Sequence, residues 1–139
     1  ISIKAEDANG FQKELVKKSK EMENLYEAIS NSTYLIEYNT EGYVTNINKE
    51  YLNLLEMNFD EVVGKHHSYQ MDFTEEQRKN YKLFWEELNS GIAKKETHKF
   101  TVNDKTYLFF ETYTPLKNEY GAVYKIIKIG VNVSHLLKE

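Results

Sequence analysis

Tyr34-Leu35-Ile36-Glu37-Tyr38, then Asn39-Thr40-Glu41-Gly42, then Tyr43-Val44-Thr45-Asn46-Ile47: the reading of this stretch decides the fold. Aromatic and β-branched residues flank four turn-formers that end in glycine, which is how two antiparallel strands joined by a short turn are written. What precedes it is helical. Phe11, Leu15, Met22, Leu25 and Ile29 are separated by four, seven, three and four residues, a helical rhythm. In heptads, Leu15, Met22 and Ile29 share one seam position while Phe11, Lys18 and Leu25 share the other. Residues 1–32 therefore read as a linker and an amphipathic helix, able to pack on its own domain or to pair with a second copy. Ser30 to Thr33, which compete for backbone hydrogen bonds, break it.

Beyond the hairpin, Asn48 is placed to cap a short helix carrying Tyr51, Leu52, Leu54 and Leu55. Asn58-Phe59-Asp60-Glu61 has the capping-box spacing and Gly64 closes the helix it opens. Residues 65–73 show no period. Thr74 to Gln77 is a second capping box, and the helix it starts has Tyr81, Phe84, Trp85 and Leu88 on one face before Gly91. Three strands are expected next, Ala93 to Val102, Lys105 to Thr114 and Val123 to Val133, joined by Asn103-Asp104 and by a turn with Pro115, Asn118 and Gly121. The last strand is apolar on both faces, with Val123, Ile127, Ile129, Val131 and Val133 on one side and Tyr124 and Ile126 on the other, which suits a central position. Ser134 is placed to cap an exit helix over 135–139. A hairpin first and a meander last, with helices between, imply an α+β domain over 33–134: one five-stranded antiparallel sheet with short covering helices.

Composition narrows the function. The 139 residues are enough for one domain, and no apolar run approaches the length that crosses a bilayer. With 18 Lys plus Arg against 22 Asp plus Glu, and Arg78 the single arginine, nucleic acid is a poor partner. Cysteine is absent, which removes disulfides, thiolate metal sites, covalently attached haem and cysteinyl–flavin photochemistry. No G-x-S-x-G, phosphate-cradling loop, H-E-x-x-H or Asp-rich calcium loop is present, so the segment is not expected to be an enzyme. No secretory signal is visible, and the chain reads as a cytoplasmic piece of something longer.

Glu41-Gly42-Tyr43-Val44 leading to Asn48 and Tyr51, Glu61-Val62-Val63-Gly64-Lys65, Thr114-Pro115-Leu116 with Gly121, and Ile129-Gly130-Val131-Asn132-Val133-Ser134 are four local signatures in order. Together they resemble a PAS sensory domain. Asn132 stands where that family usually has Asp. Gly64-Lys65-His66-His67 with Tyr81, Phe84, Trp85, Leu88 and Gly91 is similar to PAS domains of bacterial chemoreceptors and related sensors, some of which hold haem or flavin. The resemblance implies a sensory module of a signal-transduction protein such as a sensor histidine kinase, a chemoreceptor or a cyclic-dinucleotide enzyme. A covalently linked output domain and a homodimer through the leading helix go with it. A ligand-free interaction module and a cone-shaped α+β enzyme are the rival readings.

The residues expected at a binding site are His66, His67, Met71, Tyr81, Phe84 and Trp85. A neutral imidazole can ligate haem iron, and adjacent residues of a loop point to opposite sides, so one ring at most should face inward. The plainer reading makes such a histidine a hydrogen-bonded tie between loop and sheet. The aromatic stripe of Tyr81, Phe84 and Trp85 is either core or the wall of a pocket closed by the sheet. Haem, flavin and no cofactor all remain open at this level.

Overall fold

In the computed structural model, which describes residues 5–137, the chain opens with α1 (Ala5–Ser32). The helix extends three residues past Ile29, the last apolar seam position, because Ser32 Oγ folds back onto the Ala28 carbonyl at 2.7 Å rather than ending the helix at Ser30. Its apolar residues Phe11, Leu15, Met22, Leu25 and Ile29 are exposed. The chain divides into two compact units between Ser32 and Thr33, and the second carries the sheet.

β1 (Tyr34–Tyr38) and β2 (Val44–Ile47) form the antiparallel hairpin. Its turn is closed from within, since Asn39 Oδ1 accepts from the amides of Glu41 and Tyr43 at 3.0 Å each. Asn48 then caps α2 (Lys49–Leu55) by accepting from the Tyr51 amide at 3.1 Å, and it also holds β1 by accepting from the Leu35 amide and donating to the Thr33 carbonyl. α3 (Phe59–Val62) begins where Glu61 accepts from the Asn58 amide at 3.0 Å. α4 (Glu75–Asn89) starts on the reciprocal Thr74–Gln77 box, with bonds of 3.2 and 2.9 Å.

β3 (Lys94–Val102), β4 (Lys105–Lys117) and β5 (Val123–Asn132) complete one five-stranded antiparallel sheet in the order β2-β1-β5-β4-β3. Asn103 and Asp104, at φ +46° and +70°, supply the left-handed pair that a two-residue hairpin turn needs. β5 is central, as expected. Three details differ from expectation. β4 does not stop at Thr114 but runs through Pro115 to Lys117, because pairing with β3 has ended opposite Tyr113 and proline meets only one neighbouring strand there. The side of β5 turned to the core is Ile126, Lys128 and Gly130, whereas the row Ile127, Ile129 and Val131 lies on the opposite face, with Val131 exposed. In place of an exit helix over 135–139 there is a single 3-10 turn, Ser134–Leu136, after which Leu137 is extended; residues 138–139 lie outside the described residues.

The core fills the space between this sheet face and the helices: Ile36, Tyr38, Val44, Ile47, Tyr51, Trp85, Leu88, Phe109, Tyr113 and Ile126. Gly130 belongs to it, since a Cβ there would stand 2.9 Å from the fully buried Phe109 ring.

Candidate functional site

A cavity of about 590 Å3 opens between the sheet and α4. Its floor is Ile36 and Tyr38 of β1, Tyr113 of β4 and Lys128 of β5. Tyr51 and Val62 close one end, Tyr81 and Phe84 of α4 form a wall, and Glu96, His98 and Phe100 of β3 line the far side. Lys65, His66, Tyr69, Gln70 and Met71 form the rim.

The two adjacent histidines have different tasks. His66 Nδ1 accepts from the Ser68 amide at 3.1 Å, so the proton sits on Nε2, which donates to the Glu41 carbonyl at 2.8 Å. This ties the loop to the hairpin turn, and it is why position 42 is glycine: a Cβ there would lie 2.7 Å from that Nε2, at φ +91°. His67 turns inward. Its Nδ1 is 2.8 Å from the Tyr81 hydroxyl and its Nε2 2.8 Å from the Tyr113 hydroxyl, which in turn donates to Glu96 at 3.3 Å. Because an ionised carboxylate only accepts, the direction is fixed: Tyr81 O–H to His67 Nδ1, His67 Nε2–H to Tyr113 Oη, Tyr113 O–H to Glu96. Burial, helped by the charge of Lys128, pushes the His67 pKa down to about 3, so the ring is neutral. Burial raises the hydroxyls of Tyr81 and Tyr113, and takes Tyr38 up to about 12.

Beneath this chain lies a buried ion pair. Lys128 Nζ is 3.2 Å from Glu111, and His98 Nδ1 is 3.4 Å from the other carboxylate oxygen; among the described residues neither oxygen is in an aligned hydrogen bond. Lys128 donates to the Tyr51 hydroxyl at 3.3 Å and sits 5.3 and 5.7 Å from the ring centres of Tyr51 and Tyr113. Burial works against its charge, but the surrounding phenols and Glu111 outweigh that and hold its pKa well above the ordinary value. Burial likewise works against Glu111, and His98 and Lys128 more than offset it, leaving the carboxyl below its usual range.

Of the residues expected at a site, His66, His67, Met71, Tyr81 and Phe84 line the cavity, with Met71 exposed at the rim. Trp85 does not. It lies behind the wall against Tyr38 and both imidazoles, 8% exposed, and its indole N–H has no hydrogen-bond partner among the described residues. On the strands opposite α4, Phe109 and Tyr113 face inward, while Phe110 and Ile127 share the outer face. Glu96, His98, Glu111 and Lys128 were missed. Their signal is parity: Lys128 interrupts an apolar strand in step with Ile126, and Glu111 falls in step with Phe109 and Tyr113.

A model of the PAS domain matches residues 31–135. The chain belongs to the PAS domain family. It is 27% identical over 113 residues to the biofilm dispersion protein BdlA of Pseudomonas aeruginosa, covering 81% of this chain and 27% of that protein, so it spans about a quarter of that curated relative. Among solved structures it resembles the PAS domain of Bordetella pertussis BvgS, with a TM-score of 0.61 and 16% identity over 82% of this chain and 87% of that one. It also resembles the Rhodobacter sphaeroides LOV protein, with a TM-score of 0.58 and 12% identity over 78% of this chain and 67% of that one. These structural likenesses establish a common fold. A PAS domain is a sensory signalling module, and the cavity lies between its sheet and its aromatic helix.

Haem, which the family implies for some members, does not fit the two histidines of this PAS domain. Both nitrogens of His66 and both of His67 are held by protein groups at 3.1 Å or less, so neither ring presents a free nitrogen to an iron.

Proposed function

We propose that this PAS domain senses a small organic molecule held in the cavity and passes the change to an output domain of a cytoplasmic bacterial signalling protein. A sensor histidine kinase, a chemoreceptor or a cyclic-dinucleotide enzyme would each be such a host. The observation that carries the reading is the cavity of about 590 Å3, walled by aromatic rings and crossed by the ordered chain from Tyr81 to Glu96. That volume falls in the range of small-molecule pockets, which are mostly apolar with a few converging polar groups. Had Tyr81 and Phe84 met large side chains with no space between, the ligand-free interaction module would be favoured. A ligand moves the output only if it binds two conformations with different affinity. The groups able to register it are Lys128 on the central strand and Tyr113 beside it, with β1 continuing directly from α1. α1, with its apolar seam exposed, is proposed to pair with a second copy.

Native mass spectrometry with a visible absorption spectrum tests the reading on the purified chain. An organic mass that copurifies, gives no Soret band and is lost in Leu55→Trp, which fills the cavity from α2, is the expected result. A Soret band abolished by His67→Ala would replace it with a haem sensor.

A further inference from the structure

The cavity carries a charge imbalance that its size does not explain. Glu96 and Glu111 stand directly opposite each other in the β3–β4 ladder, on the inner face, where like charges destabilise a sheet. Lys128, 3.2 Å from Glu111, cancels one of them. The other has no ion-pair partner among the described residues. Glu96 accepts one long bond from Tyr113, and partial desolvation at the cavity mouth together with Glu111 raises its carboxyl above the usual range. The other charged groups of the lining are occupied: Glu61 caps α3 at 3.0 Å from the Asn58 amide, and Lys65 lies over the Tyr69 ring at 4.8 Å on the rim. The walls favour the same sign of ligand, since aromatic faces are negative. One cation already sits among them, the Lys128 ammonium against Tyr51 and Tyr113.

We infer that the cavity takes a small organic cation, an ammonium or amidinium group set against Glu96 and carried on an apolar or aromatic body that fills the space between Phe84, Phe100 and Tyr113. This rests on the ligand-binding reading above and adds the charge and shape of what is bound. Lys128 does not oppose it, because Glu111 already balances its charge; an anion, by contrast, would meet Glu96 with Glu111 behind it.

The test is a titration of the full chain with three probes of similar shape, 2-phenylethylammonium, 2-phenylethanol and phenylacetate, followed by amide and Trp85 indole NMR shifts. The ammonium is expected to bind at least tenfold more tightly than the alcohol, and phenylacetate more weakly than either. Glu96→Gln should remove that tenfold preference while leaving the alcohol's affinity unchanged, and Glu96→Asp should restore part of it. Glu96 is exposed at the cavity mouth, so circular dichroism of the glutamine variant should match the parent. Alcohol or phenylacetate binding as tightly as the ammonium, or a glutamine variant that keeps the preference, overturns the inference and leaves the cavity a binding site. Shifts from none of the three overturn both.

Discussion

At His67, a neutral ring is forced on the protein by burial, with the nearby charge of Lys128 adding to it. Its folded pKa of about 3 lies below the ordinary histidine value of 6.5. Its contribution to stability is therefore complete above pH 6.5 and is lost as pH falls from there toward 3, by up to about 1.4 kcal/mol per pH unit. Urea midpoints measured from pH 7 to pH 5, above most carboxylate titration, should fall for the parent and stay nearly flat for His67→Gln. The ion pair below it obeys a different rule. Lys128→Met leaves Glu111 charged and fully buried, and should cost about 3–5 kcal/mol, whereas Lys128→Met with Glu111→Leu should cost much less. Urea unfolding of the two variants separates these cases; equal losses would mean the pair is not coupled. Little of this was legible in the sequence. A histidine pair announces itself by residue type, but Glu111 and Lys128 are ordinary charged residues until the register of β3, β4 and β5 turns them to one face.

Helices and turns were the most legible elements, because their signals are local. Thr74 and Gln77 bond each other's amides as their spacing requires. Thr74→Ala should lower stability by about 1 kcal/mol, read as a drop in the thermal midpoint, with Thr74→Ser near the parent. Strand ends were read less well, since they depend on the neighbour: β4 continues through Pro115 only because β3 has finished. α1 shows the same limit. Its heptad seam was readable, but periodicity does not say what covers it. If two copies pair through Leu15 and Met22, Leu15→Glu and Met22→Glu should convert dimer to monomer in sedimentation velocity; an unchanged dimer mass would place the contact elsewhere.

For the whole molecule, every residue of the buried cluster falls between Ile36 and Ile126, within the unit that begins at Thr33. Removal of residues 1–32 should therefore leave a chain that unfolds cooperatively. Far-UV circular dichroism with urea checks this, and a broad, non-cooperative loss of signal would show that α1 is needed for the fold. The sheet class and the order of elements were legible because a hairpin, a helical middle and a meander leave few arrangements that bury the apolar sides together. The cavity was not, because a void is a difference between volumes set by side chains distant in sequence, such as Tyr38, Phe84 and Phe100.

The strand order has one more consequence. The first strand lies beside the last, with Tyr34 opposite Gly130, so the chain comes in and goes out at the same end of the sheet, on adjacent strands. A domain wired in this way can be inserted into a rod as a cassette, because the gap it opens in the rod is about one strand spacing. A small shear between those two strands becomes a relative displacement of whatever is attached to each, and Lys128, which lines the cavity, stands on one of them.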